Sequence, residues 1–439
     1  MRLRVRPGPR IDGTLTVPGD KSISHRWLIL AATARGRSLL RALPHSLDVR
    51  STATCLAALA PRARPQLDDW SSKGWHGPEA DGFTWDARPH ITSTFEVEVL
   101  GDGREGLVSP GIQLDCRNSG TTMRLMAGVL AGAPFGAVLT GDASLSARPM
   151  ERVAEPLRAM GAHVRTSDGH APIEIAGGPL HAITYRTPVP SAQLKSAVLL
   201  AACVAEGVTE VREPAATRDH TERVLEALGA PIARGAGSVR LSAFQHGGFE
   251  GTIPGDISSA AFPIGAAAVT GGRLEVTGVG LNPTRTRFLE VYRRMGVTIE
   301  TVQRGQTLGE PVGDVVATGP AELAAATVGA DELPLVIDEV PVLAAVAASA
   351  RGESWFAGAS ELRVKESDRL GGIASMLRAI GAGAAVQGDD LVVAGGGVRG
   401  GEATANGDHR LAMAAAVAAL GASGEVTVEG IEAADVSFP

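Results

Sequence analysis

One pattern recurs six times along this chain and constrains everything else: a short polar cluster, an Ala/Leu-rich run, then a turn containing glycine. It occurs as KSISHRWLILAATARGRS from Lys21, NSGTTMRLMAGVLAG from Asn118 and SAQLKSAVLLAACVAEG from Ser191. It returns as DISSAAFPIGAAAVTGG from Asp256, DEVPVLAAVAASARGES from Asp338 and DHRLAMAAAVAALGASG from Asp408. Internal similarity of this kind sets the architecture before any single element does. Each run is apolar nearly all round, so each predicts a helix buried on every side.

Amphipathic helices are predicted between the runs at ERVAEPLRAMGAHV, TERVLEALGAPI, FLEVYRRMGVTI and IASMLRAIGAGA. The alternating segments FEVEVLG, AVLTG, GRLEVTGV, DLVVAG and GEVTVEG read as strands with one buried face. A unit is then two helices plus a few strands, and six units, three per half, fill the 439 residues. Aromatic residues make up only 4% and glycine reaches 55, so the core must rest on Ala, Val and Leu at short range. The tripeptide PGD stands before the first run (Pro18–Asp20) and again before the fourth (Pro254–Asp256). We read these as the two places where the chain passes between domains. One domain would be residues 21–254, the other residues 1–20 joined to 255–439. A common turn tripeptide is the plain alternative. Residues 61–95 lengthen the first unit, lack periodicity and hold Trp70, Trp75 and Trp85; they read as a surface insertion.

The ends of the buried runs carry more than capping residues. Lys21, His25 and Arg26 flank the first, Arg117 and Arg124 the second; Lys195 lies in the third, and His409 and Arg410 open the sixth. A cation at a helix N-terminus opposes the macrodipole unless an anion sits there, so the recurrence predicts a site for a multiply anionic small molecule. The segment ELRVKESDR (361–369) is either a solvated helix start or a proton-transfer pair, Lys365 and Glu366, beside an anion clamp.

Several classes are excluded. A net charge of −7 gives no reason to expect nucleic acid or an acidic membrane as partner. No apolar run is long enough to span a bilayer, and no apolar stretch of a leader follows the basic N-terminus. Cys55, Cys116 and Cys203 show no disulfide or zinc spacing, which predicts a soluble protein of a reducing compartment, hence cytoplasmic. The motifs GxxxxGK[ST], HExxH and GxSxG are absent, no GxGxxG opens a strand–helix unit with a downstream acid, and the histidines show no metal-ligand clustering.

The segments VPGDKSISHR, LDCRNSGTTMRL, LSARPMERV, SAQLKSAVLLA, TRDHTERVL, PGDISSAAF, VIDEVPVLA, ELRVKESDRL and NGDHRLAMA follow one another over nearly the whole chain. In this order they resemble the EPSP synthase family, the enolpyruvyl transferases of the shikimate pathway. The resemblance implies an α/β fold, a two-domain inside-out α/β barrel of six repeated helix-strand units, three per domain. It implies that the 5-hydroxyl of shikimate 3-phosphate adds to phosphoenolpyruvate and that the adduct then loses phosphate. Lys21, Ser22, Arg26, Ser191, Ala192, Gln193 and Arg218 would hold shikimate 3-phosphate, with Asp338 and Lys365 touching it. Gly120, Arg148, Arg369 and Arg410 would hold phosphoenolpyruvate, with Lys21, Asn118 and Gln193 nearby. Asp338, Lys365, Glu366 and Lys21 would be catalytic, Asp338 as base for the hydroxyl. Neither metal nor cofactor is implied. The expected partners are the two small-molecule substrates alone, with the protein a monomer and a target of glyphosate. Arg117 departs from the glycine, and Val436 from the lysine, that many members carry at these positions. A sister transferase acting on UDP-N-acetylglucosamine and a non-catalytic family member stay open as alternatives.

Overall fold

A computed structural model of the chain describes residues 1–60, 94–235 and 237–436. Buried helices form at all six recurring runs: α1 (Lys21–Thr33), α2 (Gly120–Leu130), α3 (Ala192–Ala202), α4 (Ile257–Thr270), α5 (Val340–Ala347) and α6 (His409–Leu420). Asp20, Ser119, Ser191, Asp256 and Asp408 each accept a hydrogen bond from a backbone N–H of the first turn. That bond satisfies a donor the helix itself leaves open. The start of α5 differs. Glu339 holds the cap position without a side-chain cap bond, Pro341 supplies a turn needing no donor, and Asp338 stays outside the helix.

The helices form two trios. In the first, α2 packs against α1 and α3; in the second, α4, α5 and α6 pack on one another. Small residues make such contacts possible. A Cβ at Gly128 of α2 would lie 2.2 Å from the Ala197 carbonyl oxygen of α3, so the two backbones touch there. The buried apolar residues fall into two principal clusters, one spanning Ile23 to Ile253, the other containing Val17 and running from Ile257 to Val428.

Sheets surround the trios with one face to solvent; His170–Ala176, for example, alternates buried and exposed residues along its length. In the second unit Leu114–Asp115 runs parallel to Gly136–Thr140, which pairs antiparallel with His170–Ala176 and through it with His163–Ser167. The third, fourth and fifth units repeat this four-stranded order. Helices inside and strands outside make this the inside-out α/β fold.

The units are not closed by sequence neighbours alone. Gly13–Leu15 completes the fourth sheet, Arg2–Val5 joins the sixth, and Glu250–Thr252 joins the first. The first and sixth sheets have three strands among the described residues, one fewer than those of the second to fifth units. The two PGD segments lie side by side: Asp20 N–H donates to the Pro254 carbonyl and Asp256 N–H to the Pro18 carbonyl, both at 2.8 Å. Of the expected insertion, residues 61–93 lie outside the described residues. Its end falls earlier than expected, since Thr94 and Phe95 already belong to the strand Thr94–Asp102. No helix among the described residues is long and apolar enough to cross a membrane.

Candidate active site

Asp338 lies where the chain enters α5, and cations gather on it from both trios. One carboxylate oxygen accepts from Arg218 Nη2 at 2.5 Å. The other lies 3.7 Å from both Lys365 Nζ and Arg369 Nη1. Its backbone carbonyl accepts from Arg410 Nη1 at 2.6 Å. Burial resists ionisation of Asp338, but Arg218, Lys365, Arg410 and Arg369 outweigh it and hold the carboxyl well below the ordinary range.

The segment ELRVKESDR is not a solvated helix start. Ser360–Val364 makes a 3-10 turn, and Asp368 caps the helix Arg369–Ala379. Arg369 is fully buried. Its Nε donates to Asp408 at 2.9 Å and its Nη2 to Glu366 at 2.5 Å, while Nη1 has no hydrogen-bond partner. Burial also resists ionisation of Glu366, yet Arg369, with Arg148 and Lys21, keeps it well below the usual value. For Lys365 burial wins: with Arg369 and Arg218 it lowers the ammonium below the ordinary lysine value against the pull of Asp338 and Glu366. His409, at the start of α6, is driven well down by burial and then by Lys21 and Arg410, so its ring is neutral.

The first trio supplies the opposing wall. Asn118 Nδ2 donates to Asp142 at 2.8 Å, and its Oδ1 accepts from Arg148 Nη2. Gly120 opens α2 beside two guanidinium groups, since a Cβ there would stand 3.0 Å from Arg124 Nη1 and 3.3 Å from Arg148 Nη1. Arg124 Nη1 donates to Gln193 Oε1 at 2.5 Å, and Gln193 Nε2 to Thr121 at 2.8 Å. Burial, then Arg152 and Arg148, push Arg124 down to about 9. Nε of both Arg124 and Arg148 is buried without a partner. Lys21 Nζ meets Asp48 Oδ2 at 2.8 Å. The walls touch where Ser144 Oγ donates to the Glu366 carbonyl at 3.1 Å.

The remaining expected residues are placed less directly. Ser191 uses its hydroxyl to cap α3 and Ala192 begins that helix. Arg26 points into the first trio, donating to Thr221 and Ser196 and, through Nη1, to the Ser22 carbonyl, at 2.8, 2.9 and 2.8 Å. It braces α1 against its neighbours. Lys195, read from sequence as a cation at a helix end, is a buried partner of Glu213 and Glu222, both at 2.7 Å. Arg117 adopts φ 50°, a left-handed conformation that favours glycine. Asp48 and Asp408 were missed: neither stands in a pattern that names its partner. Arg124 was visible as a charge four residues into an apolar run.

Such a cleft can do specific chemistry. Unpaired buried N–H groups on several arginines and helix N-termini suit phosphate and carboxylate oxygens. An ionised aspartate and a lowered lysine side by side can take and give protons near neutral pH. A separate groove of about 510 Å³, lined by Ser109–Gln113, Val138 and Arg165 among others, lies on the outer sheet face and shares none of these residues.

Two inside-out α/β halves meeting at a cleft of this kind define the enolpyruvyl transferase class. The sequence pattern of EPSP synthase (3-phosphoshikimate 1-carboxyvinyltransferase) matches residues 5–74 and 90–439, and the chain belongs to that family. The unmatched residues 75–89 fall within the expected insertion. The chain is 44% identical to the 3-phosphoshikimate 1-carboxyvinyltransferase of Acidithiobacillus ferrooxidans, over 100% of its own length and 95% of the relative's. It is 45% identical to that of Halorhodospira halophila, over 99% and 93%. EPSP synthase from Acinetobacter baumannii superposes with a TM-score of 0.82 at 38% identity, covering 100% of this chain and 96% of that one. The enolpyruvyl transferase NikO from Streptomyces tendae shares the fold, with a TM-score of 0.73 at 19% identity over 99% and 94% of the two chains.

Proposed function

We propose that this chain transfers the enolpyruvyl group of phosphoenolpyruvate to the 5-hydroxyl of shikimate 3-phosphate, releasing phosphate. The carrying observation is the ionised Asp338 held by Arg218 from one half and by Lys365, Arg369 and Arg410 from the other. Both substrates are phosphorylated carboxylates, and this is where cations from two sides converge on one acid. The domains are residues 21–254 and residues 1–20 with 255–439; the two apolar clusters support that division. Shikimate 3-phosphate lies against Lys21, Ser22, Ser191, Ala192, Gln193, Arg218, Asp338 and Lys365, with Arg26 supporting α1 from behind. Phosphoenolpyruvate lies against Asn118, Gly120, Arg148, Arg369 and Arg410, with Lys21 and Gln193 at its edge.

In the addition step Asp338 takes the 5-hydroxyl proton as that oxygen bonds to C2, while Lys365 delivers a proton to C3. Lys365 is the better donor because Glu366 is already ionised. In the elimination step Glu366 takes a proton back from C3 as the C2–O bond to phosphate breaks. Arg148, Arg369 and Arg410 stabilise charge on the leaving phosphate. Closure of the halves excludes water from two anions brought together. The protein acts as a cytoplasmic monomer, a setting in keeping with three free, buried cysteines. The test supplies phosphoenolpyruvate with shikimate 3-phosphate or UDP-N-acetylglucosamine and measures phosphate. Release with the second acceptor alone would reassign the protein to the sister activity, and release with neither would make it non-catalytic.

A further inference from the structure

We infer that Arg285 is a positioning residue that fixes the mutual placement of Lys21, Arg218 and Asp338 from inside the junction between the halves. Its side chain is 2% exposed. Nη1 donates to Asp20 Oδ2 at 2.9 Å and to His220 Nε2 at 3.0 Å. Nη2 donates to Asp256 Oδ1 at 3.0 Å and to Ser258 Oγ at 2.6 Å. Ser258 Oγ in turn donates to Glu339 Oε1. Since His220 Nε2 accepts, its ring proton sits on Nδ1 and donates to Glu310 at 2.7 Å.

The partners are the neighbours of the cleft. Asp20 precedes Lys21, Glu339 follows Asp338, and His220 stands two residues after Arg218. Asp20 and Asp256 are also the last residues of the two PGD segments, so one guanidinium spans both crossings between the halves. A planar fork with five N–H groups can hold these directions at once; an ammonium cannot. Neutralising two aspartates alone would not require the further bonds to His220 and Ser258, and those are the bonds that lead to Arg218 and Asp338. Arg285 touches no reacting atom and acts through these neighbours.

This inference rests on the functional reading above, in which the acceptor lies among Lys21, Arg218 and Asp338. The hydrogen bonds of Arg285 reach none of Asn118, Gly120, Arg148, Arg369 and Arg410, so loss of register should reach turnover before it reaches phosphoenolpyruvate binding. The experiment measures kcat and both KM values by phosphate release for wild type, Arg285→Lys, Arg285→Gln and Ser258→Ala, with folding checked by circular dichroism. Arg104→Lys is the control; Arg104 is a half-buried arginine away from the cleft, donating to the Leu200 carbonyl at 2.7 Å. The expected order of kcat is wild type, Ser258→Ala, Arg285→Lys, Arg285→Gln, the last down by about 100-fold, the scale of a small misplacement of reacting groups. The KM for phosphoenolpyruvate should stay within about threefold, and lysine should rescue part of the loss seen with glutamine. Folded Arg285 variants with wild-type kcat, or an equal kcat loss in Arg104→Lys, overturn the inference. If neither Arg285 variant folds, Ser258→Ala decides, and wild-type kcat there rejects it. Absence of turnover in the wild type would instead overturn the functional reading, and this inference with it.

Discussion

Arg218 and Asp338 share a 2.5 Å hydrogen bond across the junction between the two helix trios. The proposed base of one half is thus covered by a proposed substrate clamp of the other. In the proposed reaction an arriving phosphorylated acceptor would offer Arg218 a second anion and free a carboxylate oxygen for the 5-hydroxyl. The pH dependence of kcat/KM reports the free enzyme. Asp338 is held well below the ordinary carboxylate value, so activity should persist as pH falls through that value. After correction for titration of the substrate phosphates, the acid limb should lie below it. Arg218→Gln removes the nearest cation and should move that limb to higher pH. Asp338→Ala should lose about 2–4 orders of magnitude in kcat while keeping phosphoenolpyruvate affinity. Wild-type kcat in Asp338→Ala would remove it as base.

Lys365 predicts the alkaline side. Burial, with Arg369 and Arg218, lowers it from 10.5, so its proton is lost earlier than from an ordinary lysine as pH rises. The alkaline limb of kcat/KM should fall below 10.5 and belong to this residue. In Lys365→Arg the limb should leave the accessible range, and Lys365→Met should lose most turnover and bind shikimate 3-phosphate weakly. An unmoved limb in Lys365→Arg would assign it to another group.

The six core helices were legible because an apolar run between a polar cap and a glycine turn has few other uses. Both PGD segments were legible for the same kind of reason: they recur at equivalent places. What sequence could not show was which distant piece completes each sheet. Gly13–Leu15 is three residues long and carries no alternation, yet it closes the fourth sheet. Charges divided in the same way. Arg369 and Arg410 stood in dense motifs, whereas Asp48 owes its place to a fold that brings it to Lys21.

Lys195 shows the opposite error. A lysine near a helix start looks the same whether it faces an anion or two buried glutamates, and Glu213 and Glu222 lie far along the chain. Burial disfavours its charge, but these glutamates outweigh burial and raise its pKa. The triad therefore contributes stability below the ordinary lysine value and loses it only as pH rises through the raised one. Lys195→Met should cost about 3–5 kcal/mol in denaturant unfolding, the range for breaking a buried pair. The KM for phosphoenolpyruvate should not change. A loss of substrate binding without loss of stability would return Lys195 to the cleft.

Residues 61–93 should be dispensable. The cleft is assembled from helix ends and their neighbours, and part of this stretch falls outside the family match. Replacing it with a short Gly/Ser turn should leave kcat/KM within about tenfold, under about 1.4 kcal/mol. A folded protein with collapsed activity would make the segment part of the site.

Gly120 sets the last expectation, for glyphosate as a competitor of phosphoenolpyruvate. An added methyl would press on the ends of two flexible side chains, 3.0 Å from Arg124 Nη1 and 3.3 Å from Arg148 Nη1, rather than on backbone. The fold should therefore tolerate Gly120→Ala while the guanidinium groups shift by a few tenths of an ångström. Glyphosate is a longer molecule than phosphoenolpyruvate and, bound here, would fill more of the space those groups leave, so it should suffer more. Crowding of this kind costs about 1–3 kcal/mol, so Ki should rise by about tenfold or more, and KM by less. Inhibition kinetics with phosphoenolpyruvate varied, on wild type and Gly120→Ala, would check it. Equal Ki values would mean that Gly120 does not border the inhibitor, and the two arginines beside it would then need another ligand.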